Sequence, residues 1–230
     1  MADAALDLRN AIRARLETVE ERIERACARA GRKRGEVTLV AVTKVFPAEV
    51  IRAGYEAGLR EFGENYVQEF AAKRPALEDL HEARFHLVGH LQSNKAKPAA
   101  RIFHVIQTVD TPKLARRLDE YGRDLEVMIE VKLSEEETKR GAPPEAVPEL
   151  ADAIRSYPHL HLSGLMTMPP FFEDPEAARP YFVRLREMAE RLGLPCLSMG
   201  MSNDFEVAIE EGATHVRIGT ALFGPRPRKQ

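Results

Sequence analysis

The sequence contains only two cysteines, Cys27 and Cys196. They lie far apart in apolar surroundings, so two free buried thiols in a reducing cytosol are expected rather than a disulfide. Net charge is equally scarce, with 34 Lys plus Arg against 36 Asp plus Glu leaving −2. A near-neutral chain gives no electrostatic case for nucleic acid or an anionic membrane as the main partner. No apolar run approaches the length of a membrane span. The opening MADAALDLRNAIRARL is charged throughout and lacks the apolar stretch of a secretion signal. A soluble, cytoplasmic protein is expected. Repeats, low-complexity tracts and linkers are absent, as are a Walker loop, GxGxxG, HExxH and a Ser/His/Asp constellation. His86 and His90 are four apart but fall on a strand and then a loop, so a zinc site is not expected.

What the sequence does contain is alternation. Leu6, Ile12, Leu16, Val19, Ile23 and Cys27 (or Ala26) recur at helical spacing over 4–30, and Gly31 follows as a stop. Val37–Val42 is then almost wholly apolar, the pattern of a strand buried on both faces. Further strands are expected at 59–62, 84–88, 102–107, 125–131, 160–165, 195–198 and 214–218. Helices are expected near 47–57, 65–79, 92–100, 111–121, 145–156, 175–192 and 203–211. Eight strands alternating with helices imply a parallel sheet, and eight close a (β/α)8 TIM-type barrel with an extra N-terminal helix. An open doubly wound sheet is the runner-up. One domain spanning 1–230 is expected, with residues 1–35 as the added helical segment and 225–230 as a flexible tail. Glu135–Glu137 and the Pro143-Pro144 pair read as an exposed loop.

A barrel builds its active site where strands end. Lys44 directly follows the first strand. Confinement lowers a lysine pKa, and the freed amine can form a Schiff base with an aldehyde. The competing reading is a lysine snorkelling from a strand end. Gly219-Thr220 follows the eighth strand and opens a short helix, a setting for phosphate, and Ser198 and Ser202 after strand seven would add donors. Arg217 either aims into the barrel or pairs in its wall with a carboxylate such as Glu130. Asn65 either lines the mouth or caps a helix.

Six ordered motifs carry a resemblance. They are Val40–Lys44, Gly63–Glu69, His86–Lys95, Gly164–Pro169, Leu197–Ser202 and Arg217–Gly224. In sequence and order they closely resemble the pyridoxal 5'-phosphate (PLP) homeostasis protein family, the YggS/PROSC group, whose barrel is similar to the N-terminal domain of alanine racemase. The resemblance covers nearly the whole chain. It implies PLP held covalently as a Schiff base on Lys44. It puts the phosphate at Ser198 or Ser202, Gly219 and Thr220, with Arg217 opposite the pyridine nitrogen and Asn65 near the ring. Asn203 stands where many relatives carry Asp, and is expected to cap the next helix without touching cofactor. The implied role is PLP (vitamin B6) homeostasis with little or no turnover, since the sequence ends six residues after Gly224 and leaves no room for a racemase's second domain. A PLP-dependent racemase or lyase is the alternative, and a sugar-phosphate enzyme using Lys44 stands behind it. Apo PLP-dependent enzymes are the expected protein partners, and a monomer is the preferred state.

Overall fold

The computed structural model describes residues 2–136 and 140–225. Eight parallel strands close into a barrel in chain order. They are β1 Thr38–Val42, β2 Glu61–Glu64, β3 Arg84–Leu87, β4 Val105–Val109, β5 Leu125–Glu130, β6 Leu160–Met166, β7 Cys196–Met201 and β8 His215–Ile218. The α-helices among the described residues are α1 Ala2–Arg29, α2 Ala48–Glu56, α3 Val67–Lys73, α4 Ala96–Ile102, α5 Pro112–Asp119, α6 Val147–Arg155, α7 Arg179–Leu192, α8 Phe205–Glu210 and α9 Thr220–Phe223. The TIM-type expectation holds, and β1 pairing with both β2 and β8 excludes the open sheet.

The expected elements recur with shifted ends, for local reasons. Strand β2 starts two residues late because Leu59 N–H is spent closing α2 on Gly54 O, with Gly58 left-handed (φ 113°). The helix expected over 65–79 stops at Lys73 and continues as a 3-10 turn, Arg74–Leu77, where Pro75 lacks the N–H that would extend the α-helical hydrogen bonding. In α1, Ile12, Val19, Ile23, Ala26 and Cys27 are buried, whereas Leu6 is 45% exposed. This helix packs outside the barrel against α2, α8 and α9, and Arg22 and Arg29 reach Glu206 and Glu210 at 2.6 and 2.7 Å. Cys27 is buried and Cys196 half-buried, and both are free. Of the expected loop, Glu135 and Glu136 are exposed, while residue 137 lies outside the described residues, as do tail residues 226–230.

Two apolar regions hold the fold. One lies between strands and helices. The other fills the barrel with Val40, Val88, Val105, Met128 and Met166, all 5% exposed or less. Polar side chains share that interior: Gln107 on β4 accepts from Ser198 on β7 at 2.7 Å, and since these strands are not neighbours the bond crosses the lumen.

Candidate functional site at the carboxyl ends of the strands

A cavity of about 400 Å³ opens at the strand ends. Lys44, Asn65, Ser202, Arg217, Gly219 and Thr220 all line it. Ser198 does not. It is fully buried beneath, where its hydroxyl accepts from Arg217 at 2.7 Å and donates to Gln107. The two candidate serines part because strand pairing slips between Ser198 and Met201, where Gly200 adopts φ 92°. A Cβ there would meet Ala208 Cβ at 2.6 Å and Phe205 Cα at 2.8 Å, so this turn demands glycine.

Lys44 sits on a turn gripped from both sides. Thr43 is fully buried and its hydroxyl donates to Glu64 at 2.7 Å. Thr43 carbonyl accepts from Lys73 at 3.2 Å. After Lys44, Val45 has φ 64°, a left-handed conformation that a β-branched residue rarely adopts, at a cost of roughly 1–3 kcal/mol. Its N–H donates to Glu69 Oε1 at 2.7 Å. Lys73, four residues on along α3, reaches Glu69 at 2.6 Å and Glu64 at 3.0 Å. Burial raises the Glu64 carboxyl above its ordinary range, against the pull of Lys73 and the Thr43 hydroxyl. The outcome is a fixed lysine root aimed at the cavity.

Arg217 forms part of the floor. It is 4% exposed and donates to Ser198 Oγ at 2.7 Å and to Thr167 carbonyl at 2.8 Å. Glu130, the carboxylate considered from sequence, acts on Arg217 through its charge. Burial brings the guanidinium down to about 10, opposed by Asp204 and Glu130, so it stays charged at neutral pH. Ser202 after β7, with Gly219 and Thr220 at the start of α9, supplies hydroxyls and backbone to the same cavity. A Cβ on Gly219 would come 3.2 Å from Val42 carbonyl, so the β8 end lies close on β1.

Two capping expectations are corrected. Tyr66, not Asn65, precedes α3 as its cap residue, and Asn65 lines the cavity. Asp204, not Asn203, occupies the cap position of α8, where its carboxylate accepts from Met201 N–H at 2.7 Å and ties the β7 turn. Asn203 instead lines the cavity and donates to Phe172 carbonyl at 2.9 Å, anchoring the loop after β6. That loop carries Phe171, which is 77% exposed at the rim.

Sequence reasoning missed Glu69, Lys73 and Gln107. The first two read as ordinary helix charges at i, i+4 spacing. Gln107 left a faint signal, a polar residue inside an apolar strand.

Fold and site together define a (β/α)8 barrel of the alanine racemase N-terminal-domain type, and residues 14–227 match the family model "Alanine racemase, N-terminal domain". The pyridoxal phosphate homeostasis protein of Aquifex aeolicus (strain VF5) is 47% identical over 222 residues, covering 92% of this chain and 97% of that one. The structure of PipY from Synechococcus elongatus PCC7942, solved with PLP bound, superposes with TM-score 0.80 at 37% identity, covering 93% of this chain and 100% of that one. Alanine racemase from Corynebacterium glutamicum shares the fold at TM-score 0.68 and 18% identity, with 95% of this chain matching 62% of that one. The chain belongs to the pyridoxal phosphate homeostasis protein family.

Proposed function

We propose that this protein binds PLP in the barrel mouth, through a Schiff base on Lys44, and acts in PLP homeostasis with little or no amino-acid turnover. The observation that carries the reading is the meeting of Lys44, Arg217 and the Ser202–Gly219–Thr220 donors on one cavity. Its volume falls within the range of small-ligand pockets, about 300–1,000 Å³. The donors also fit the ligand's chemistry. An amine on a fixed turn suits an aldehyde, a buried cation that cannot accept a hydrogen bond suits an unprotonated pyridine nitrogen, and backbone N–H with hydroxyls suits phosphate. The names of the relatives and the PLP-bound PipY structure support the same ligand.

PLP supplies an aldehyde for the lysine and a ring that acts as an electron sink. This chain's residues restrain that sink. Arg217 remains charged and only donates, so it would face the ring nitrogen as a hydrogen-bond donor and leave it unprotonated, which makes the ring the weaker sink. Storage or delivery to apo PLP-dependent enzymes follows as the role, carried out by a cytoplasmic monomer.

The test is the visible spectrum of the purified protein before and after borohydride, with peptide mass mapping. A yellow protein that bleaches and carries a pyridoxyl-phosphate adduct on Lys44 is expected. A colourless protein that takes up no PLP, or an adduct on another lysine, overturns the reading. A panel of amino acids followed for product formation separates this role from a racemase or lyase.

A further inference from the structure

Inside the barrel, five side chains join end to end. Arg217 donates to Ser198 Oγ at 2.7 Å, and Ser198 donates to Gln107 Oε1 at 2.7 Å. Gln107 Nε2 lies 2.9 Å from His86 Nδ1, and His86 Nε2 lies 2.6 Å from Glu61 Oε2. The chain enters at β2, passes through β3 and β4, crosses the lumen to β7 and ends on β8. Four members are 4% exposed or less. Glu61, the first residue of β2, keeps 24% side-chain exposure and so reaches solvent at the face opposite the cavity. There Arg84 stands 3.9 Å from it.

The chemistry at the two ends fixes the direction of the terminal links, and a neutral His86 carries that direction through the middle. A guanidinium cannot accept and a carboxylate cannot donate. Burial acts to raise the Glu61 carboxyl, but the His86 hydrogen bond, with Arg84 nearby, more than offsets it and holds the group below the ordinary carboxylate range. His86 therefore carries a proton on Nε2. In the neutral ring Nδ1 is then an acceptor, which matches the Gln107 amide lying with nitrogen toward His86 and oxygen toward Ser198. The Ser198 proton is committed to Gln107, leaving its lone pair to Arg217. Each link then donates toward Glu61, and no link can reverse alone.

We infer that Glu61, His86, Gln107 and Ser198 are positioning residues that hold Arg217 at the cavity floor through this one-way hydrogen-bond chain, with Glu61 as its anchor on the far side of the barrel. The consequence for a bound ring rests on the PLP reading above. The chain itself belongs to the protein without ligand. Arg217 cannot swing toward the cavity without breaking a charge-assisted bond and stranding the Ser198 oxygen in the core, where such losses are costly. The guanidinium therefore meets a ring nitrogen from one fixed direction.

The test is a double-mutant cycle on PLP affinity, read by equilibrium dialysis. Ser198→Ala, which cuts the chain beside Arg217, should weaken PLP about ten-fold, and Glu61→Gln about three-fold. In an Arg217→Met background both effects should vanish. Full loss in both backgrounds, or none in either, overturns the inference. A second measurement needs neither ligand nor variant: nitrogen-15 NMR of the ligand-free protein should show His86 as the Nε2–H tautomer. The Nδ1–H tautomer, or a ring protonated on both nitrogens, overturns the chain's direction. If the protein takes up no PLP, the functional reading fails, and this NMR result still decides the chain.

Discussion

Glu69→Ala is the perturbation that most directly tests how Lys44 is held. The carboxylate accepts from Val45 N–H at 2.7 Å and pairs with Lys73 at 2.6 Å. A hydrogen bond to a charged group contributes about 1.5–3 kcal/mol, so the substitution should cost about 2 kcal/mol of stability. For a chain of this size that lowers Tm by about 4–8 °C. The loss should depend on Val45, whose φ of 64° carries roughly 1–2 kcal/mol of left-handed strain. Val45→Gly removes that strain but adds about 0.5–1 kcal/mol of chain entropy, and alone should be nearly neutral. In the Val45→Gly background, Glu69→Ala should cost about 1 kcal/mol less, because the turn no longer leans on the carboxylate. Urea unfolding of the four ligand-free proteins measures the cycle, and PLP uptake by the same four reports whether Lys44 has moved. A Glu69→Ala cost below about 0.5 kcal/mol, or strict additivity, would show that the carboxylate does not hold the turn.

Three further outcomes are expected. Gly200→Ala forces a left-handed φ of 92° on a residue whose Cβ would lie 2.6 Å from Ala208 Cβ, and should cost more than about 2 kcal/mol in urea unfolding; a cost near zero would mean that the β7 turn relaxes freely. Burial above all holds His104 and His215 down to about 4. Both are neutral above about pH 6.5 in either state, so their stability contribution is full there and is lost as pH falls from about 6.5 to 4. Unfolding measured across that window should show the decline, His215→Gln should flatten part of it, and constant stability down to pH 4.5 would contradict the assignment. Ser202→Ala and Thr220→Val should each weaken PLP about five-fold while leaving pyridoxal, which lacks the phosphate, unaffected; an equal loss for both ligands would remove these hydroxyls from the phosphate end.

Much of this protein is legible along the chain because the signals are local. Runs such as Val37–Val42 are apolar on both faces, and only a strand covered inside and out needs that. Gly58, Gly193 and Gly212, all with positive φ, close helices where the sequence says they should. Lys44 and Gly219-Thr220 stand at strand ends, and barrel geometry then aims them at one mouth.

What the sequence alone determined is the order of the elements, the parallel barrel and most of the polar residues facing the cavity, since each depends on neighbours a few positions away. Only the tertiary structure decided between Ser198 and Ser202, because one slip in register at Gly200 buries the first and turns the second outward. Only closure of the barrel brought Gln107 of β4 onto Ser198 of β7, 91 positions apart. Only the packing of α3 beneath the β1 turn made Glu69 and Lys73 the grip on Lys44. The physical reason is common to all three. Hydrophobic periodicity records which face of an element is buried, whereas hydrogen bonds between distant elements depend on the register and distance at which those faces meet.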